Sequence, residues 1–327
     1  MKIAVVGCGA VGSFYGAKLC HGGQEVHFLL RSDYDMVRRN GVRIRSCQGD
    51  FTVRPVCANR PEDIGVSDLL LIGLKTTAND QFARLLPPLV GPTTAVLTLQ
   101  NGLGNVEQLA RLFPSEQIMG GLCFVCLNRL EPGVIYHQAH GQVVIGEYQR
   151  LPETRTHSIA SMLCQAGVPC KVTESLAKAH WEKLVWNIPF NGLGVAGTVG
   201  YEAMQNPKSE VRNPKSRSAV LTTDELLADA QWAELVRELM LEVIAAARAL
   251  GFELSEDVAE QSIARTRKMG AYKASTLLDF ERGQPVELEN LFLEPLRRAK
   301  QAGVPTPRLE NLCRILCALN EIKTAPA

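Results

Sequence analysis

The segment 179–191, Ala-His-Trp-Glu-Lys-Leu-Val-Trp-Asn-Ile-Pro-Phe-Asn, sets Lys183, Asn187 and Asn191 four residues apart. On a helix, side chains at that interval lie along one stripe. An ammonium and two carboxamides among Trp, Leu, Val and Phe are costly to bury unless a polar ligand satisfies them; otherwise the stripe is a solvated face. Such a lysine can bring both a positive charge and a proton to an oxygen that becomes negative during a reaction. Pro189, inside the stripe, lacks an N–H and would open backbone carbonyls by a kink.

A second constellation opens the chain. Residues 1–12 run from an apolar stretch, Ile3 to Val6, straight into Gly7-Cys8-Gly9-Ala10-Val11-Gly12, a Gly-x-Gly-x-x-Gly turn. In a dinucleotide-binding turn the first glycine permits the tight bend, the second lets backbone approach a pyrophosphate, and the third lets the next helix pack on the sheet. The pyrophosphate then rests on the N–H groups of the helix N-terminus. The motif gains weight from its surroundings: a helical run at Ser13–Cys20, a Gly22-Gly23 stop, and a second strand at Gln24–Leu30. That strand ends in Arg31-Ser32, whose guanidinium suits the 2′-phosphate of NADP better than a bare ribose diol. Asp33 and Asp35 lie close behind and would serve NAD if the strand ended two residues later.

These groups need a frame. Short apolar runs alternate with helical stretches, as a parallel sheet with crossover helices requires. Asp68–Leu74 reads as a buried strand ending at Lys75, and Thr94–Leu99 as another ending at Gln100-Asn101-Gly102. Polar residues at such strand ends face the ligand crevice of an open α/β sheet, which places Lys75 and Asn101 there unless they are simply solvated. Residues 118–149 read as further strands, with Gly133–His137 and Gly141–Gly146 as a short antiparallel pair at the sheet edge; Val168–Val172 is the last strand. From Ser175 onward the periodicity is helical, so the expected division is 1–173, a doubly wound, mostly parallel α/β domain that binds NADP, and 174–327, an all-α domain for substrate and catalysis.

Near the C-terminus, 273–290 combines a helix, a Gly-Gln-Pro break and a second helix opened by Glu287 and Glu289, which would complement its dipole. The segment 206–217 nearly repeats a polar Asn-Pro-Lys-Ser unit, so 205–222 reads as a flexible insertion between helices.

A chain of 327 residues is long enough for two cores, and 35 basic against 34 acidic residues leave no field to recruit nucleic acid or an anionic membrane. The expected partner is a small molecule, and a homodimer stays open. A glycine loop starting at residue 7 leaves no room for a secretory signal, and no apolar run approaches the ~20 residues of a membrane span, so a cytoplasmic protein is expected. Ten cysteines are then free thiols. Cys123-x-x-Cys126 and the pair His137 and His140 read as core or surface residues rather than a metal site, and no metal is expected.

Together, the glycine turn with Arg31, the strand-end Lys75 and Asn101-Gly102, the Trp-x-Lys-Leu-x-x-Asn-x-x-x-Asn helix, and Ser-x-x-x-Asp followed by Gly-x-x-x-Glu resemble the ketopantoate reductase family. The resemblance covers essentially the whole chain apart from 205–222, with the motifs in the family's order. It implies a Rossmann domain joined to an all-helical domain, and NADPH-dependent reduction of a 2-oxo acid, 2-dehydropantoate to pantoate, in pantothenate and coenzyme A biosynthesis. It implies that Lys183 is the catalytic proton donor and that Asn187, Asn191 and Ser275 hold polar groups of the substrate, while Asn101 touches both substrate and cofactor. The loop Gly7 to Gly12, Arg31, Lys75, backbone near Val125, and Glu287 would contact NADPH. A substrate-side asparagine of some members falls around Tyr201 here. Two other readings stand beside this one: a related NAD(P)-dependent hydroxyacid dehydrogenase, and a non-catalytic NADPH-sensing module whose inserted loop meets a partner. Lys183 with two asparagines on one stripe favours catalysis over the latter.

Overall fold

The opening run Lys-Ile-Ala-Val-Val has no polar alternation, and in the computed structural model it forms β1 (Lys2–Val6), a strand with Ile3 to Val6 fully buried. Residues 1–211 and 219–324 are described. The chain divides into two compact units, Met1–Ala177 and Lys178–Ala327.

In the first unit, β1 is followed by α1 (Ala10–His21), β2 (Glu25–Leu29), α2 (Tyr34–Asn40), β3 (Val42–Ser46), β4 (Phe51–Val53), β5 (Val56–Ala58) and β6 (Ser67–Ile72). Then come α3 (Phe82–Leu85), β7 (Val90–Thr98), α4 (Asn105–Leu109), β8 (Ile118–Glu131), β9 (Val134–Glu147), α5 (Thr154–Gln165) and β10 (Cys170–Val172). The strands join one sheet in the order β4-β3-β9-β8-β7-β6-β1-β2-β5, with β10 beside β9. Only β3–β4 and β8–β9 pair antiparallel, so the sheet is mostly parallel as the sequence leads one to expect. Because β1 has β2 on one side and β6 on the other, chain order reverses at β1, the place where open α/β sheets bind ligands.

Helix α1 packs Phe14, Tyr15, Ala17 and Leu19 into the core with Val5, Phe28 and Leu71 from the strands. Gly16 permits this approach, since a Cβ there would stand 2.6 Å from the Phe28 ring.

Gly133–His137 and Gly141–Gly146 do not pair with each other at the sheet edge; they are two parts of one strand, β9, whose antiparallel partner is β8. The reversal sits at Pro132-Gly133, with Gly133 at φ 74°, while Gly141 at φ 122° lies where the register slips between Phe124 and Val125. Glycine here marks a bulge within the strand as well as a turn. Beyond β9 the sheet continues through β3 and β10.

The second unit is helical: α6 (Leu176–Ala196), whose first two residues belong to the first unit, then α7 (Tyr201–Gln205), α8 (Thr223–Ala228), α9 (Ala230–Ala249), α10 (Asp257–Thr266), α11 (Ser275–Glu281), α12 (Glu294–Gln301) and α13 (Pro307–Thr324). Its core draws on Leu235, Leu239, Met240 and Val243 of α9 and on Trp181, Val185, Ile188 and Phe190 of α6, a helix buried nearly all round from Leu184 onward. Glu242 of α9 accepts the N–H groups of Arg308 and Leu309, both at 2.8 Å, and so caps the start of α13 from outside that helix. No helix among the described residues is long and apolar enough to cross a membrane.

Of the segment 205–222, residues 212–218 lie outside the described residues. Its flanks are built into the unit rather than free-standing. Arg314 donates to the Ser209 carbonyl at 3.0 Å, the Leu221 N–H donates to the Gly194 carbonyl at 2.9 Å, and Val220 is buried. Two hydrophobic residues at the end of a polar segment explain why the packed part is larger than the polar repeat suggests.

Candidate functional site

Four neighbouring parallel strands, β7, β6, β1 and β2, end on the same side of the sheet. Their last ladder bonds keep the ends level: Gly73 N–H donates to the Val6 carbonyl and Leu99 N–H to the Ile72 carbonyl, each at 2.8 Å. Immediately past those ends come Gly7, Arg31, Lys75 and Asn101. Sequence spacing alone suggests the four residues; the parallel register brings them to one edge.

The glycine loop divides its labour as its chemistry demands. Gly7 sits at φ 90°, and a Cβ there would lie 2.2 Å from the Leu74 nitrogen; a Cβ on Gly12 would lie 2.3 Å from the Gly7 carbonyl oxygen. Gly9 differs, because a Cβ there meets nothing within 4 Å. It opens onto free space at the start of α1, whose first turn has no side-chain cap. Uncapped N–H groups beside a backbone that nothing crowds form a cradle for an anion, so the loop fits a pyrophosphate. Cys8 is not part of that cradle. Its thiol donates to the Val5 and Leu29 carbonyls at 3.6 and 3.5 Å, tying the loop to the end of β2, and burial pushes its pKa well up. Gly73, unnoticed in the sequence, completes the contact, since a Cβ on it would stand 2.8 Å from the Gly12 Cα.

Strand β2 ends at Leu29, which leaves Arg31 exposed at the edge. The competing acidic residue Asp33 is only 7 % exposed and already occupied: the Arg129 Nη2 lies 2.5 and 2.7 Å from its two carboxylate oxygens. Asp35 is exposed within the first turn of α2.

At the β6 and β7 ends a chain of amides fixes the turns. Thr98 Oγ1 donates to Gln100 Oε1 at 2.8 Å, Gln100 Nε2 donates to Asn79 Oδ1 at 2.7 Å, Asn79 Nδ2 donates to Asn105 Oδ1 at 2.9 Å, and Asn105 Nδ2 donates to the Asn101 carbonyl at 2.9 Å. The chain joins the turn after Lys75 to the turn carrying Asn101. Sequence reasoning missed it, and the only signal was an excess of Asn and Gln beyond the two strand ends. Asn79→Ala removes the bonds to the Gln100 amide and the Asn105 side-chain carbonyl at once, with an expected cost of about 1–3 kcal/mol, read as a lower denaturation midpoint at unchanged m-value.

Val125 is half-buried on β8, at the register slip opposite Gly141. Cys123 and Cys126 on the same strand form no disulfide, Cys126 being buried and Cys123 packed against the core. His137 is fully buried, with Nδ1 2.8 Å from Ser46 Oγ and Nε2 3.1 Å from the His140 carbonyl, so both ring nitrogens are committed.

In the second unit α6 carries the stripe unbroken through Pro189. Lys183 is half-buried, Asn187 is 7 % exposed and Asn191 is 3 % exposed. The two asparagines do different work. Asn191 is largely spent on the fold: its Nδ2 donates to the Asn187 carbonyl at 3.0 Å, and its Oδ1 accepts the Thr276 N–H at 3.1 Å, capping the start of α11, with Ser275 Oγ 3.5 Å away. One Nδ2 hydrogen stays available. The Asn187 carboxamide takes no hydrogen-bond partner among the described residues, although nearly buried beside Leu184, Val185 and Ile188. Ser275 is exposed as the first residue of α11.

Glu287 is 8 % exposed and lies two residues before a π-helical turn, Glu289–Leu293, that leads into α12. Glu289 is exposed and paired with Arg297 at 2.5 Å. Tyr201 begins α7, where its ring packs edge-on against Trp232 and its hydroxyl accepts from Gln205 at 2.7 Å.

Comparison with known proteins adds to this geometry. Residues 3–150 match the family model described as ketopantoate reductase PanE/ApbA, and residues 211–320 match its C-terminal counterpart. A 2-dehydropantoate 2-reductase of Nostoc sp. is 37% identical, over 98% of this chain and 94% of its own length. The crystal structure of 2-dehydropantoate 2-reductase from Geobacter metallireducens GS-15 is 42% identical, with a TM-score of 0.87 over 99% of this chain and 100% of that one. The Methylococcus capsulatus structure of the same name is 33% identical, with a TM-score of 0.87 over 100% of this chain and 99% of that one.

Proposed function

Because the chain belongs to the ketopantoate reductase family, we propose that it reduces 2-dehydropantoate to pantoate with NADPH, the first unit binding the cofactor and the second supplying the catalytic lysine. The observation that carries this reading is the α6 stripe, a half-buried Lys183 one turn from an Asn187 carboxamide that has no hydrogen-bond partner among the described residues and lies between the buried Leu184, Val185 and Ile188. A polar ligand with a carbonyl to protonate would answer the Asn187 carboxamide and bring its oxygen within a turn of the Lys183 ammonium.

NADPH, when bound, would supply a hydride for the C2 carbonyl carbon of the 2-oxo acid. Lys183 stabilises the negative charge that develops on the C2 oxygen and hands it a proton, leaving a neutral amine that is reprotonated from solvent. Asn187 and the remaining Nδ2 hydrogen of Asn191 orient substrate oxygens, and Ser275 adds a hydroxyl at the start of α11. The loop Gly7 to Gly12 holds the pyrophosphate, Arg31 the 2′-phosphate, and Lys75, Asn101, backbone near Val125 and Glu287 the remainder of the cofactor. Ten free cysteines suit a reducing compartment, and the cytoplasm is where we place the enzyme.

The test is steady-state NADPH oxidation against a panel of 2-oxo acids that includes 2-dehydropantoate, followed as loss of reduced-nicotinamide absorbance. The highest kcat/KM is expected for 2-dehydropantoate; a clear preference for another 2-oxo acid overturns the substrate, and no turnover of any overturns catalysis. Cofactor choice is read separately. Arg31→Ala weakens NADPH by up to about a hundredfold, the worth of a charge-assisted phosphate contact, and leaves NADH nearly unchanged in a fluorescence titration.

A further inference from the structure

We propose that Arg129 is a specificity-determining residue for the phosphorylated cofactor, acting by cancelling the charge of Asp33 beside the position of the 2′-phosphate. The proposal rests on the reading of Arg31 as the phosphate's partner. Asp33 follows Arg31 by two residues, in the turn between the end of β2 at Leu29 and the start of α2 at Tyr34, and so places an acidic side chain close behind the phosphate's partner. A bare carboxylate there would repel a phosphate that carries two negative charges.

The protein does not leave it bare. Arg129 approaches from β8, ninety-six residues away in sequence, and its Nη2 bridges both carboxylate oxygens at 2.5 and 2.7 Å. Ser32 Oγ adds a third hydrogen bond at 3.0 Å. The reach is possible because β8 runs on past Gly120, its last residue paired with β7, as one arm of a long hairpin with β9. Asp33 is also electrically part of the cofactor loop: after burial and Cys57, its charge is a further cause of the raised Cys8 pKa. An ion pair with one partner nearly buried is not a surface ornament, since removing the arginine leaves an uncompensated carboxylate close to a bound anion.

Four proteins are compared by titration with NADPH and with NADH: the native chain, Arg129→Gln, Asp33→Asn, and the double variant. Arg129→Gln is expected to weaken NADPH by about tenfold or more, with NADH changed by less than about threefold. Asp33→Asn alone binds NADPH at least as tightly as the native protein. The double variant returns to within about threefold of native NADPH affinity, because the charge that needed cancelling is gone. An unchanged NADPH to NADH ratio in Arg129→Gln overturns the proposal. So does a double variant as weak as Arg129→Gln, which would mean that the arginine touches the phosphate itself or holds the fold. Should Arg129→Gln fail to fold, Asp33→Asn decides: retained or tighter NADPH supports the proposal, and lost affinity overturns it. Failure of the underlying reading looks different, as a native protein that binds both cofactors alike and ignores Arg31→Ala.

Discussion

Lys183→Ala is expected to lower kcat for 2-dehydropantoate by about a hundredfold or more, while NADPH affinity measured by fluorescence stays near native. The substitution removes the proton donor and the positive charge together, and both act on the same developing oxyanion. Asn187 and Asn191 keep their places, because their environment is set by α6 itself and by the Asn191 cap on α11. KM should therefore rise far less than kcat falls. Lys183→Arg does not restore turnover, since a guanidinium keeps the charge but holds its proton at working pH. The pairing of the two variants matters: recovery in the arginine variant would show that charge alone suffices, and near-native turnover in the alanine variant would reduce Lys183 to a solvated helix residue.

How far these roles were legible in the sequence depends on how local their causes are. The glycine turn, β1, β2 and the three-residue stripe on α6 are set by spacing within a few turns of chain, and they emerge where expected. Arg31 at the end of β2 is equally local. By contrast, the sequence left Asp33 open as a rival ligand for NAD; β2 ends at Leu29, short of it, and its carboxylate is paired with Arg129, a residue with no sequence signal pointing to position 33. Long-range pairing also explains the misread hairpin. Two glycine-bounded segments look like two short strands, yet the bulge at Gly141 absorbs the interruption and β9 runs on. The asparagines of the stripe were alike in the sequence and differ in the structure, because the α11 N-terminus that claims Asn191 is eighty-five residues away.

Two glycines of one loop are expected to respond to alanine in opposite ways. Gly7→Ala forces a side chain into the left-handed region at φ 90° and drives its Cβ to 2.2 Å from the Leu74 backbone nitrogen, where nothing flexible can give way. Positive-φ strain alone is worth about 1–2 kcal/mol, and the backbone clash at the junction of β1 and β6 raises the expected loss to about 3 kcal/mol or more. The first unit should unfold at visibly lower temperature or denaturant. Gly9→Ala meets neither obstacle. Its backbone lies at φ −76°, open to any residue, and its Cβ would meet no atom within 4 Å. Stability should therefore stay within about 0.5 kcal/mol of native. What the new methyl fills is the space that backbone leaves for the pyrophosphate, so NADPH affinity should fall by about tenfold or more, and NADH with it, because both cofactors share that group. The joint loss separates Gly9→Ala from Arg31→Ala, which discriminates between the two. If Gly9→Ala binds NADPH as tightly as the native chain, the open space at Gly9 is not where the cofactor's phosphates lie; if Gly7→Ala folds with native stability, the loop is softer than its backbone contacts require.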